Sequence, residues 1–366
     1  MIRRFCLYAV LRNLRFFDVF FVLFLAIELG LSYTLIGLVL AYEKLLLGIM
    51  EIPLAVASDR LGRRRGLILS FALAALAFLI FGFASHSDKP LASVLVGQTI
   101  YGFAEALRTG THKAIVLDWL TLNHRGHEKV HVLSQMRFFS KLSGGVSALF
   151  AGLMVYWTGQ IGLLFFAATV PTITAALMLW GYPADTEGDV VRRSRDGQSH
   201  HSNGILNDIK KASLWSLLVP SVLFESQIKL AVAYLQPALA EGSRAFQWPI
   251  LGGNGAVVVG TYMCISGALA GASALLSQRL ILWSGGPATA IYRIHFIAAL
   301  VTSFACLGFF YDHKLLGLVL MLGLASLQNI RRPIFVAQLD NVMPPSYRAT
   351  TLSVESQSRS WAYAAA

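Results

Sequence analysis

A short basic turn between two apolar segments is the feature of this chain that most limits its fold. Residues 59–66 are Asp-Arg-Leu-Gly-Arg-Arg-Arg-Gly, and they separate the apolar stretch 33–57 from the stretch 67–84, which carries no charge. Short loops rich in Lys and Arg stay on the cytoplasmic side of membrane proteins. The sequence therefore predicts two membrane helices joined by a tight cytoplasmic turn.

The composition of the whole chain agrees with a protein that spans a membrane many times. Of the 366 residues, 56% are hydrophobic and 13% are charged, whereas a soluble domain carries about 25% charged residues. Apolar stretches recur at the length of a membrane helix, roughly 17 to 25 residues. We predict an all-α polytopic membrane protein with helices at residues 14–31, 34–56, 66–84, 91–119, 136–157, 161–182, 213–238, 252–283, 288–310 and 315–333.

A polar segment divides these helices into two groups. Residues 185–207 are rich in Arg, Ser, Gly, His and Asp, which is typical of a flexible linker. We predict an N-terminal half of six helices at residues 1–182, a cytoplasmic linker at 183–211 and a C-terminal half at 212–366. Residues 349–366 are too short and too polar for a complete span and a further helix. We expect the chain to stop inside an eleventh helix; a ten-helix protein with an amphipathic tail is the alternative.

Positive charge alternates between the two sides of the predicted bundle. The predicted external loops carry only Lys89, Arg244 and Lys314, and the predicted cytoplasmic loops carry most of the other basic residues. This asymmetry predicts a cytoplasmic N-terminus and linker. It also accounts for the net charge of +11 without a nucleic-acid partner. The predicted location is the plasma membrane or a bacterial inner membrane, as a multi-pass protein.

The basic turn resembles a signature of the major facilitator superfamily, a large class of secondary transporters. The loop between helices 2 and 3 of that family is Gly-x-x-x-Asp-Arg-x-Gly-Arg-Arg/Lys, and residues 55–64 match it except that Ala55 replaces the first glycine. The resemblance implies two six-helix halves, the second incomplete here, with about ten full helices and a partial eleventh. It also implies secondary active transport of a small solute by alternating access, with or without proton coupling.

The resemblance further implies that the turn acts as a conformational gate between the halves. Gly62 allows the tight turn, and the arginines can form charge-assisted pairs with acids on neighbouring helix ends. Asp118, at the end of predicted helix 4, is the expected partner of Arg63 or Arg64. The alternative is a basic loop that only sets the topology. The predicted gate consists of Asp59, Arg60, Gly62, Arg63, Arg64 and Asp118.

Ionisable residues at membrane depth are candidates for a functional site, because each costs several kcal/mol there. In the family that the chain resembles, helices 1, 4, 7 and 10 line a central cavity. Glu105 and Arg108 are at i,i+3 spacing, and Glu225 and Lys229 are at i,i+4 spacing. The two residues of each pair could bind a substrate or a proton, or could only neutralise one another. The candidates for substrate or proton binding are Asp18, Glu28, Glu105, Arg108, Glu225, Lys229, Gln328 and Asn329.

Small residues at four-residue spacing predict two close-packing helix faces. Gly144, Ala148 and Gly152 form one face at the start of predicted helix 5, and Gly267 and Gly271 form the other in predicted helix 8. Such small-xxx-small patterns let helix backbones approach closely in membranes. We expect a packing role for both faces.

Two other classes of function compete with transport. His127, Glu128 and His131 match the HExxH pattern of zinc metallopeptidases, although no third ligand is evident downstream and the segment falls in a predicted loop. A non-transporting sensor or scaffold of the same architecture is the second alternative. We expect a monomeric, non-enzymatic carrier with a small-molecule substrate in the lipid bilayer. We expect no cofactor, no bound metal and no nucleic-acid partner.

Overall fold

The computed structural model of the chain is a bundle of helices. It describes residues 1–183, 215–225, 228, 254–311, 313–342, 352 and 354–359. The helices are α1 (Ile2–Asn13), α2 (Phe21–Leu23, continued by a π-helical turn at Phe24–Glu28), α3 (Tyr33–Leu61), α4 (Arg63–Phe83), α5 (Pro90–Arg108), α6 (Thr111–Leu122), α7 (Lys129–Thr158), α8 (Leu163–Trp180), α9 (Trp215–Glu225), α10 (Asn254–Ala274), α11 (Ser277–Ser284), α12 (Pro287–Phe310) and α13 (Lys314–Val342). Residues 354–359 are also helical, and the described residues contain no strand. The predicted all-α fold is confirmed.

Several helices are long and apolar enough to cross a bilayer. By length and composition these are Arg63–His86, Gly126–Thr158, Leu163–Trp180 and Pro287–Phe310. A bent pair, Met263–Ala274 and Ser277–Ser284, makes a further candidate with an angle of 42° between its two parts. The predicted helix at 252–283 is therefore broken and not continuous. Large apolar side chains such as Leu177 and Phe296 are exposed on the outer faces of these helices, as lipid contact requires.

Three helices are longer than the sequence predicts. Their extra residues lie at the end of the bundle that contains the turns at Gly62 and at residues 123–128. We call this end the basic end. The predicted helix 34–56 continues to Leu61, the predicted helix 136–157 starts at Lys129, and the predicted helix 315–333 continues to Val342. The extensions of α3 and α7 carry charged residues, which hydropathy does not assign to a membrane span. The extension of α13 follows Arg331, Arg332 and Pro333, where the prediction ended.

The first and fourth predicted helices are interrupted. The first was predicted at 14–31, but it starts at Ile2 and loses regular helical structure over residues 14–20. Asp18, which falls four residues inside the start of the predicted helix 14–31, therefore lies midway along the observed one. The fourth, predicted as continuous over 91–119, is divided between Arg108 and Thr111. Gly110 adopts a φ of +76° there, a left-handed conformation that favours glycine.

An apolar cluster joins the N-terminal helices to the C-terminal ones at the basic end. Its buried side chains come from α6, α7, α9, α13 and the segment around residue 352: Leu117, Leu133, Leu218, Phe335, Val336, Ala337, Leu339 and Leu352. The members from α13 follow Pro333, which the helix accommodates. Helix-breaking residues are tolerated in membrane helices where neighbouring elements satisfy the freed backbone groups. This packing explains why α13 passes the proline at which the prediction ends.

Helices α7 and α10 pack closely at glycines, although not through every residue of the two predicted faces. A Cβ atom built on Gly267 would lie 2.6 Å from the carbonyl oxygen of Lys141, and one on Gly145 would lie 2.9 Å from the Cα of Cys264. Gly260 approaches the carbonyl oxygen of Ala148 in the same way, at 2.7 Å. Of the predicted positions, Ala148, Gly267 and Gly271 lie in the contact, whereas Gly144 does not and its neighbour Gly145 takes its place. The glycine pair at 144–145 lies in the middle of α7, however, and not at its start.

The glycine contact between α7 and α10 predicts a difference between two adjacent positions. Gly145→Ala should lower the free energy of unfolding by about 1–3 kcal/mol, because the new methyl group meets the backbone of α10. Gly144→Ala should be neutral or stabilising by roughly 0.5–1 kcal/mol, because nothing lies within 4 Å of its Cβ position and alanine favours the helix. Thermal unfolding of the purified full chain in detergent measures both. Equal effects of the two substitutions would contradict the contact.

Candidate functional site

The basic turn places one arginine inside the protein. Gly62 ends α3 and precedes α4 with a φ of +112°, a conformation that favours glycine. The next residue, Arg63, is only 1% exposed, and its guanidinium donates a hydrogen bond to the Oδ2 of Asp118 on α6. The predicted partnership of Asp118 is thus made with Arg63. Asp59 and Arg60 lie in the last turn of α3, and their side chains fall outside the described residues.

The next arginine of the turn has a different partner. The Arg64 guanidinium donates a 2.8 Å hydrogen bond to the carbonyl oxygen of Trp180, and Arg4 donates one of 2.6 Å to the carbonyl oxygen of Gly181. Both carbonyl groups lie at the C-terminal end of α8, where helix carbonyl groups lack partners and cations are favoured. Arg64 therefore fastens α4 to the end of α8.

Polar contacts also connect α7 with α13 across the apolar cluster of the basic end. Lys129 forms an ion pair with Asp340 and donates a 3.4 Å hydrogen bond to the Oδ1 of Asn341. Further along the helices, the Nε of Arg137 donates to the Oδ1 of Asn329 at 2.7 Å. Asn329 was predicted to line the cavity, and the structure gives its amide oxygen a partner on the facing helix.

The HExxH segment does not form the helical zinc site that its spacing would allow. Residues 126–128 are a 3-10 turn, and α7 begins only at Lys129. Glu128 accepts two hydrogen bonds from Arg125, at 2.7 and 2.5 Å. These hydrogen bonds raise the pKa of the Arg125 guanidinium, so the pair stays charged. Over the described ranges, no three His, Cys, Asp or Glu side chains are grouped to hold a metal ion.

A cluster of charged side chains lies where the first and fourth predicted helices are both interrupted. We call this set, Arg12, Arg15, Asp18, Tyr101, Glu105 and Arg108, the interior charge cluster. Arg15 bridges Asp18 at 2.7 Å and the Tyr101 hydroxyl at 2.5 Å. The Nε of Arg108 donates to Glu105 at 3.0 Å, and a second hydrogen bond joins the same two groups. The predicted pair of Glu105 and Arg108 is present.

The interior charge cluster borders a small cavity between α1, α4, α5 and α8. Arg12, Arg15, Tyr101, Glu105 and Arg108 line one part of it, and Ser70, Phe71, Ala74, Phe78 and Thr172 line the rest. The cavity therefore has a charged wall and a largely apolar wall. Ligand sites in proteins commonly combine a few polar groups with apolar surroundings of this kind.

Glu28 lies away from this cluster, at the far end of the bundle. Its carboxylate accepts hydrogen bonds from the backbone N–H of Ile161 at 2.8 Å and of Gly162 at 2.9 Å. These N–H groups precede the first turn of α8, where an anion is stabilised by the helix dipole. Glu28 thus caps a helix, in place of the predicted role in the cavity.

Glu225 is the centre of a second buried group of charges. It accepts hydrogen bonds from Arg331 at 2.8 Å, from Arg359 at 2.9 Å and from Gln328 at 3.2 Å. The predicted candidates Glu225 and Gln328 are thus neighbours. Lys229, the predicted partner of Glu225, lies outside the described residues.

The same group continues to the last described segment of the chain. Arg332 donates two hydrogen bonds of 2.7 Å to Glu355, one to each carboxylate oxygen. Arg359 contacts Glu355 as well, at 2.9 Å. Paired carboxylates and guanidinium groups can be buried together because each offsets the other's desolvation. These contacts tie residues 354–359 to α13.

Four residues of these sites were absent from the predicted set. Arg12 precedes the predicted start of the first helix at residue 14, and Arg15 lies just inside that start but was not among the candidates. Glu355 was taken as a sign of a polar, incomplete helix. Glu51 was not among the candidates, yet it is 1% exposed on α3, and its Oε1 has no hydrogen-bond partner within the described part of the chain.

Comparison with known proteins identifies the fold. The sequence profile of the Major Facilitator Superfamily matches residues 5–366. A search among curated proteins finds no match.

Solved structures resemble the chain over nearly its whole length. The human organic anion transporter MFSD10 superposes with a TM-score of 0.66 at 16% identity, covering 100% of this chain and 92% of that one. The proton:xylose symporter XylE gives 0.70 at 14% identity, covering 99% and 86%. A bacterial homologue of the iron transporter ferroportin, in an outward-facing state, gives 0.72 at 11% identity, covering 100% and 90%. At such low identities these likenesses show the fold.

The buried pair of Arg63 and Asp118 predicts a large loss of stability when one partner is neutralised. Asp118→Asn should lower the free energy of unfolding by about 3–5 kcal/mol, because it removes the carboxylate that compensates a buried guanidinium. Arg65→Gln in the same turn should change it by no more than about 0.5 kcal/mol, because Arg65 is exposed.

Denaturant unfolding of the purified protein measures both variants. The double variant Arg63→Gln/Asp118→Asn should lose less stability than the sum of the two single variants, because the partners interact directly. Additive losses would show that the two groups do not depend on each other.

Proposed function

The chain belongs to the major facilitator superfamily, and we propose that it is a secondary active transporter that moves a small solute by alternating access. Membership in this family places it among multi-pass membrane transporters. The observation that carries the proposal is the interior charge cluster at the breaks of two helices. Charges at membrane depth are costly, and interrupted helices form the substrate sites of many secondary transporters.

The contacts between the N-terminal and C-terminal helices support a mechanism of two moving halves. We take residues 1–182 and 212–366 as the halves and 183–211 as their linker. The apolar cluster of the basic end, with the ion pair of Lys129 and Asp340, would hold this end closed. Opening it would require the separation of that ion pair and the exposure of the apolar cluster. Substrate would then be reached from one end of the bundle at a time.

The gate of this mechanism would be the basic turn and its partners. The proposed gate residues are Asp59, Arg60, Gly62, Arg63, Arg64 and Asp118. The contact of Arg63 with Asp118 fixes α4 to α6, and that of Arg64 fixes α4 to α8. The turn would therefore move as one unit with the N-terminal half, and its remaining groups would contact the other half.

Proton coupling is part of the proposal, with Glu51 as the group that carries the proton. The buried carboxyl group of Glu51 lies beside the hydroxyl groups of Thr109 and Ser356, with Arg359 and Glu355 as the nearby charges. One turn earlier, the side chain of Gln357 donates a hydrogen bond to the carbonyl oxygen of Gly48. Glu51 thus lies between α3 and the C-terminal segment. Separation of these elements would give it access to water.

The proposed setting follows from the charge asymmetry. The basic end would face the cytoplasm, with the N-terminus and the linker, in the plasma membrane or a bacterial inner membrane. The protein would work as a monomeric carrier without catalysis, cofactor or nucleic-acid partner.

The orientation can be tested with single cysteines at the two ends of the bundle. Cys6, Cys264 and Cys306 are free thiols and are first replaced by serine. Asp88→Cys should react with an impermeant maleimide in intact cells, and Asn123→Cys should react only after lysis. Both positions are exposed in the structure, so reactivity reports sidedness. Labelling of Asn123→Cys in intact cells would reverse the proposed orientation.

Transport and its coupling can be tested with the full chain in proteoliposomes. Radiolabelled benzoate, succinate, glycerol 3-phosphate and glucose serve as probes, with and without an imposed inward proton gradient. We expect uptake of at least one probe to rise several-fold with the gradient. Glu51→Gln should remove this rise, because it cannot release a proton, and the exposed Asp88→Asn should retain it.

The two parts of the proposal have separate negative outcomes. Uptake that ignores the gradient in the wild type would refute proton coupling alone. If liposomes with and without the protein take up every probe at the same rate, the non-transporting scaffold is favoured.

A further inference from the structure

The three arginines of the interior charge cluster differ in how well they are paired. Arg15 contacts Asp18 and Tyr101, and Arg108 contacts both oxygens of Glu105. Arg12 makes no hydrogen bond or ion pair with any residue in the described ranges. It is half-buried and lines the cavity. Three arginines and two carboxylates leave one positive charge in excess, and Arg12 carries it.

The other polar groups around the cavity are already satisfied. The Ser70 hydroxyl donates to the carbonyl oxygen of Ala104 at 2.7 Å, and the Thr172 hydroxyl donates to that of Ala168 at 2.7 Å. Tyr101 is held by Arg15. Arg12 is therefore the strongest available donor on the cavity wall, in the part of the chain that the structure describes.

We propose that this cavity binds the anionic group of the transported substrate, a carboxylate, sulfonate or phosphate ester, through the guanidinium of Arg12. The proposal rests on the transport function proposed above and names its substrate class. A neutral solute would leave the excess charge of the cluster uncompensated, and a cation would add to it. Guanidinium groups bind carboxylates and phosphates with two parallel hydrogen bonds, which suits the single unpaired arginine.

The opposite wall of the cavity indicates the rest of the substrate. Phe71, Ala74 and Phe78 form an apolar surface beside the charged one. An organic anion with an apolar body matches the chemistry of both walls, because its charged group can meet Arg12 while its body contacts the phenyl rings. The cavity is small in this structure, so the helices around it would have to separate to admit such a solute. Arg12 follows the start of α1 by ten residues, about 15 Å along a helix. This depth and its place on the cavity wall favour a solute over a lipid headgroup.

Ligand-dependent thermal unfolding of the purified full chain in detergent tests the proposal. The probes are benzoate, succinate and glycerol 3-phosphate, each beside its neutral counterpart, benzamide, succinamide and glycerol. Phosphatidylglycerol is added separately as a lipid anion. The variants are Arg12→Gln, Arg12→Lys and the control Arg3→Gln, which removes one exposed charge from the same helix.

We expect at least one soluble anion to stabilise the wild type and Arg3→Gln, and its neutral counterpart to have no effect. Arg12→Gln should weaken that anion about tenfold to a hundredfold, the usual effect of losing a charged hydrogen-bond partner. Arg12→Lys should bind with intermediate affinity, because it retains the charge without the planar fork. The unfolding temperature of each variant without ligand shows that it is folded.

Three results would overturn the anion site. They are stabilisation by neutral probes alone, equal anion affinity in Arg12→Gln and the wild type, and stabilisation by phosphatidylglycerol with none by the soluble anions. The proposed transport function fails by a different result: anion binding that depends on Arg12 without uptake in proteoliposomes. Binding and uptake thus separate the two proposals.

Discussion

A charged side chain inside a bilayer needs a compensating group, and this requirement governs the interior of the protein. Arg63 is matched by Asp118, Arg108 by Glu105, Arg15 by Asp18, and Arg332 by Glu355. Removing one partner from such a pair is strongly destabilising, although the intact pair adds little to stability. The position of α4 relative to α6 is thus fixed by charge as well as by apolar packing. The interruptions of the helices fall among these charges.

Two kinds of contact join the N-terminal and C-terminal helices, and they differ in how easily they can be broken. At the basic end, an ion pair and an apolar cluster meet side chain to side chain. Between α7 and α10 the backbones themselves are in contact at glycines. The ion pair can separate and re-form at modest cost, since its charged groups can be solvated, whereas exposure of the apolar cluster to water is unfavourable. A glycine contact holds the two helices close together through dispersion forces and shape.

Much of the fold could be predicted from the sequence, because hydropathy and charge report directly on the membrane. The apolar stretches located the helices, the basic turn predicted the helix junction at Gly62, and Asp118 was predicted as the partner of Arg63 or Arg64. The breaks at residues 14–20 and at Gly110 were missed, because an interrupted helix keeps the same hydropathy as a continuous one. Arg12 was missed because it precedes the predicted start of the first helix, and Arg15 was missed because nothing in the sequence shows that it faces Asp18 and Tyr101 at a break in that helix.

The site candidates were separable only by structure. Glu28 and Glu105 have the same side chain in apolar surroundings, yet one caps α8 and the other pairs with an arginine. Glu225 was expected to pair along its own helix at i,i+4 spacing, whereas its described partners come from α13 and from residues 354–359. Pairing across the bundle depends on which helices are adjacent, and no local spacing encodes this. Asp59 and Arg60 remain predictions of the basic turn.

The glycine contact between α7 and α10 has a consequence for movement. Where side chains of two helices interdigitate, one helix can move along the other only if those side chains repack. Gly145, Gly260 and Gly267 have no side chains at the points of closest approach, so the two backbones meet there without interdigitated side chains. Such a contact resists separation but offers little resistance to a small rotation about itself. If the two halves rotate relative to each other, the contact between α7 and α10 is the axis of that rotation. The ends of the bundle lie far from this axis and therefore move the greatest distance.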